Sequence, residues 1–116
     1  MMTIRRIAVL SLLALLLHAG EHFIRIEYPN GGEVLKGGSQ VAVQWHSLGV
    51  DGPVAILLFK AGEQHAVIAN SVPNTGSFQW TVPANLPDSG QYRLRICSLG
   101  DLRINDFSDR DFAIKR

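Results

Sequence analysis

Four aspartates, Asp101, Asp106, Asp109 and Asp111, crowd one stretch of the chain together with Asn105. Carboxylate oxygens at that density are the hard donors that calcium takes, and Asp101, Asp106 and Asp109 are the candidates for such a site. Their spacing matches no calcium loop, so no metal is expected and a hydrated face and strand cap is the preferred reading of the same residues. Cys97 is the single cysteine, which leaves no partner for a disulfide within the chain. Alternation along its strand points Cys97 outward beside Arg93 and Arg95, whose charges favour the thiolate. An outward, odd cysteine in an exported chain can join two copies as a disulfide-linked dimer, although the preferred reading is an inert strand residue shaded by a neighbour. His46 and His65 lie in separate segments with no histidine or cysteine at zinc-ligand spacing. No serine sits in a strained elbow and no motif surrounds Cys97, so nothing couples a nucleophile to a base. The expectation is a protein that is not an enzyme and takes no cofactor.

The elements that must position these residues announce themselves between Trp80 and Ile96. That stretch reads as strand, corner and strand, with Leu86, Gly90 and Tyr92 in the pattern of the tyrosine corner of Ig-like sandwiches. Short alternating runs separated by turn residues continue on both sides, without a helical period. Seven strands are predicted, over about Phe23–Tyr28, Gln40–His46, Val54–Phe59, His65–Ala69, Phe78–Val82, Tyr92–Ile96 and Phe112–Ile114. A short extension at 33–35 follows the first. Val54–Phe59 is apolar on both faces and reads as a central strand, while His65–Ala69 reads as an edge. The fold expected is all-β, a seven-stranded antiparallel Ig/fibronectin III-like β-sandwich, with Trp45, Trp80, Leu86, Tyr92 and Phe112 in its core. Both tryptophans fall on inward faces, which favours packing over sugar stacking.

Ahead of the sandwich, Arg5 and Arg6 precede an apolar run from Ile7 to Leu17 and small residues at Ala19 and Gly20. This is the layout of a secretory signal helix, expected to occupy residues 1–19 and leave the domain over 20–116. The run is too short for a transmembrane helix, which needs roughly 20 residues, so no membrane span is expected after cleavage. No cysteine follows the cut to carry a lipid, and the charged end Lys115-Arg116 lacks the apolar tail of a glycolipid anchor signal. Losing Arg5 and Arg6 leaves nine basic against ten acidic side chains. Such scattered charge offers no field for nucleic acid.

The succession Pro29-Asn-Gly-Gly-Glu33, Val43-Gln-Trp45, Val54 to Lys60, Pro73-Asn-Thr-Gly76, Trp80-Thr-Val-Pro83, Tyr92 to Ile96, Phe107-Ser-Asp109 and Phe112-Ala-Ile114 resembles the Ser-Thr-rich GPI-anchored membrane family domain. That domain is similar to the amino-terminal region of fungal cell-wall glucan-assembly proteins of the Kre9/Knh1 type. The resemblance implies an Ig-like or fibronectin-like module of exported bacterial and fungal surface proteins, and it carries no catalytic residues. Neither a Ser/Thr-rich tail nor an anchor signal is expected here, a departure from the family's name.

An exported, non-catalytic binding or structural module at the cell envelope or outside the cell is the function these readings converge on. Its docking face is expected on the outside of the sheet holding the third and sixth strands, where Leu57 and Phe59 lie beside Arg93, Arg95 and Cys97, or along an open sheet edge. An ordinary sandwich exterior with arginine stems lying over apolar side chains is the simpler and favoured reading of the same face. Apolar and arginine side chains together are enriched where proteins meet, so the partner expected is an envelope or extracellular protein. A wall polysaccharide is the alternative, although alternation exposes no aromatic platform for it.

Overall fold

The computed structural model describes residues 21–116, so the signal segment expected over residues 1–19 lies outside the described residues. Nine strands follow in order: β1 (Phe23–Tyr28), β2 (Val34–Lys36), β3 (Gln40–Leu48), β4 (Val54–Lys60), β5 (Glu63–Val72), β6 (Ser77–Thr81), β7 (Ser89–Ser98), β8 (Asn105–Phe107) and β9 (Phe112–Lys115). All seven predicted strands are present. The two additions are three-residue strands, β2 at the predicted extension and β8 inside the acidic stretch.

The strands form two sheets. One has the order β1-β3-β6, the other β2-β9-β7-β4-β5 with β8 also paired to β7. Every pairing is antiparallel except β2 with β9, which run parallel. The third and sixth predicted strands, now β4 and β7, are neighbours in register from Val54 opposite Ser98 to Lys60 opposite Tyr92.

Alternation explains the layering. In β3, Val43 and Trp45 are buried while Gln44 and His46 are exposed, so one face meets the core and the other meets water. From the opposite sheet Ile56, Leu58, Tyr92, Leu94, Ile96, Phe112 and Ile114 complete the core, each at most 1% exposed. A side chain of this size contributes about 1.5–3 kcal/mol on full burial. Trp45 and Trp80 are 4% and 6% exposed. The indole of Trp45 donates to Asn74 Oδ1 at 2.8 Å, and the Asn74 amide donates in turn to Ser47 Oγ and the Val50 carbonyl, fastening the β5–β6 turn to β3.

The corner forms as its residues foretell. The Tyr92 hydroxyl donates to the Pro87 carbonyl at 2.6 Å, and Leu86 is buried in the core. Burial, reinforced by Asp88, pushes the Tyr92 phenol above its ordinary pKa.

Candidate functional site

The outer face of the larger sheet is built from cross-strand rows. Leu57 stands opposite Val67 of β5 on one side and Arg95 of β7 on the other, and Arg95 stands opposite Phe107 of β8. One row therefore runs Val67, Leu57, Arg95, Phe107 across four strands. The next row sets Phe59 between Gln64 and Arg93. Val67 and Phe107 are 47% and 38% exposed, two large apolar side chains turned to solvent on one surface.

Aromatic and charged contacts hold this surface. Phe59 meets Phe107 edge to face, with centroids 5.0 Å apart and planes at 80°. The Arg95 guanidinium lies 5.7 Å from the Phe107 centroid while its Nε donates to Asn105 Oδ1 at 3.2 Å. Arg93 Nε donates to Asp111 Oδ1 at 2.8 Å, with both side chains more than two-fifths exposed. Phe59, Phe107, Gln91, Arg93 and Asp111 line a depression of about 370 Å3 beside the Ala61-Gly62 turn.

Four of the five residues predicted for the face, Leu57, Phe59, Arg93 and Arg95, are brought together and are partly exposed. Cys97 follows the simpler of its two readings, a strand residue shaded by a neighbour. It has the outward parity, but it is 4% exposed, between Ala55 of β4 and Asn105 of β8. The reason is β8: a strand laid against the end of β7 flanks the thiol on the side that alternation alone would leave open.

The acidic stretch is dispersed as well. Arg103 bonds Asp101 through both carboxylate oxygens and holds its carboxyl down at about 2. Asp106 Oδ2 accepts the Ile26 backbone N–H at 2.8 Å, and Asp109 accepts the Asn30 side-chain amide at 3.0 Å. Among the described residues no three acidic, histidine or cysteine side chains gather to hold a metal ion. The calcium candidates are instead fasteners, each carboxylate turned to a different partner. His46 packs near the Phe23 ring, and His65 meets the ring of Tyr92 edge to face.

Sequence reasoning left Val67 and Phe107 off this face and read Asn105 only as a member of the acidic stretch. The alternation Asp106-Phe107-Ser108 was the available signal, with Phe107 exposed and Ser108 buried, but three residues make too short a window to register as a strand.

Residues 28–114 match the family model of the Kre9/KNH-like N-terminal Ig-like domain. Neither a curated protein nor a solved structure matches the chain.

Proposed function

The chain belongs to the Kre9/KNH-like N-terminal Ig-like domain family, which is associated with the cell wall, and from that premise we propose that it is an exported, non-catalytic module that docks a protein partner at the cell surface. A sandwich by itself dictates no function, so the reading rests on a particular surface. The observation that carries it is the row Val67, Leu57, Arg95, Phe107, an apolar stripe broken by one arginine across four strands. Buried aromatic and arginine anchors are where binding energy concentrates in protein interfaces. Catalysis has little to work with in the adjoining depression, because its ionisable side chains, Arg93 and Asp111, neutralise each other.

A wall polysaccharide is the second reading. It is favoured by the exposure of Phe107 at the rim of a depression that also offers Gln91 and Asp111, the stacking edge and polar groups a sugar ring uses.

Capture from envelope extract by the immobilised protein tests both. Val67→Glu and Phe59→Glu, each first shown by circular dichroism to retain the β-sheet spectrum, are expected to lose the captured material, and protease treatment of the extract is expected to abolish capture. Capture that survives protease but not glycosidase transfers the role to polysaccharide. Capture indifferent to both substitutions overturns the face.

A further inference from the structure

Building on the docking face above, we infer that the partner segment it takes up carries a carboxylate set among apolar side chains, and that Arg95 selects it. Two arginines occupy the face and they are not equivalent. Arg93 is committed to Asp111 at 2.8 Å, so the charge of that pair cancels locally. Arg95 has no carboxylate partner among the described residues. Its Nε is held by the neutral carbonyl of Asn105, and its guanidinium lies over the Phe107 ring.

The terminal amino groups of Arg95 hydrogen-bond to no described residue, and no buried side-chain nitrogen lacks a partner. Those groups therefore face solvent. The face thus presents one uncompensated positive charge, fixed in direction by a ring and an amide, with Leu57 and Phe107 on either side of it in the same row.

Such an arginine suits a carboxylate. The planar guanidinium offers parallel N–H donors that a carboxylate accepts two at a time, and pre-orientation by Phe107 and Asn105 reduces the freedom lost on binding. Apolar neighbours exclude water once a partner covers them, which strengthens the ionic contact. A cationic segment would meet like charge, whereas a polyanion draws its affinity from many cations that this face does not have. One acid flanked by bulky apolar residues, which would cover Val67, Leu57 and Phe59, fits both the charge and the stripe.

Panning a phage-displayed library of random peptides on the protein purified from an exporting host tests this. Enriched peptides are expected to hold Asp or Glu within an apolar run. Changing that acid to its amide should weaken binding by about tenfold or more, and Arg95→Gln should do the same. Arg95→Lys should recover only part, since an ammonium keeps the charge and loses the fork. Enriched peptides that are lost on Val67→Glu, yet contain no acid and ignore Arg95→Gln, overturn the carboxylate and leave the docking face standing. If no peptide is enriched, or those enriched ignore Val67→Glu and Phe59→Glu alike, the face and its selectivity fall together.

Discussion

Tyr92 carries a phenol into the interior, and the placement of its hydroxyl decides whether that is favourable. The ring is fully buried and stacks on Phe112 at 6.2 Å, which accounts for its apolar contribution. The hydroxyl escapes the usual cost of burying a polar group by donating to the Pro87 carbonyl. Tyr92→Phe keeps the ring and removes the bond, so unfolding in urea should show a loss of about 1–2 kcal/mol. The pH dependence follows from the direction of the pKa. Burial raises the phenol above its ordinary value, so the unfolded chain releases this proton at lower pH than the folded one. The contribution of the hydroxyl is therefore complete below about pH 10 and declines as pH rises through the folded pKa. Urea curves for wild type and Tyr92→Phe should be separated at neutral pH and should converge above about pH 10. A gap that widens there would contradict the corner as the seat of the effect.

Among the elements, long alternating strands are legible in the sequence and short or pairing-dependent features are not. β3 and β7 run nine and ten residues and declare their faces by every second side chain. The parallel direction of β2 against β9 leaves no trace in three residues, because alternation fixes a face and not a neighbour. Which element shades Cys97 was hidden for the same reason, since that is decided by β8 lying beside it. Sheet edges show what else the sequence conceals. β5 stands at the end of its sheet without lysine or proline, yet its register against β4 shifts three times, and such bulges bend an edge away from further pairing. The free side of β1 is capped instead by Asp106, whose carboxylate takes the Ile26 N–H. Asp106→Ala leaves that donor unpaired and should cost about 1–3 kcal/mol in thermal or urea unfolding, while Asp106→Asn, which keeps an acceptor oxygen, should recover most of it. Added calcium should leave the melting temperature of the wild type unchanged, since the carboxylate is already committed to the backbone.

At the scale of the whole molecule, the two sheets are joined along one side by the segment that follows β7. Asp106 bonds Ile26, Asp109 N–H donates to Asn30 Oδ1, and Arg110 N–H donates to the Asn30 carbonyl. Gly31 belongs to this seam because its φ of +149° brings the backbone so near Arg110 that an added Cβ would lie 2.7 Å from the Arg110 Cβ. At its centre the buried Ser108 hydroxyl donates to the Pro29 carbonyl at 3.0 Å and accepts the Leu94 N–H at 3.0 Å, linking the end of β1 to β7. Asp106 and Ser108 serve the seam while Phe107 between them meets Phe59 and Arg95 on the outer face. The seam that closes the sandwich therefore also sets one wall of the docking surface. Ser108→Ala removes both bonds without touching that surface and leaves two backbone groups unpaired in a buried place, so a loss of about 2–4 kcal/mol is expected. Hydrogen exchange should quicken at β1 and β8 ahead of the centre of β4, because these strands lose their tie first. The same variant should weaken any ligand that rests on Phe107, whereas Tyr92→Phe, which is destabilised through the Pro87 bond and keeps both bonds of Ser108, should leave that binding intact. Equal binding by both variants would show that Phe107 holds its position without the seam.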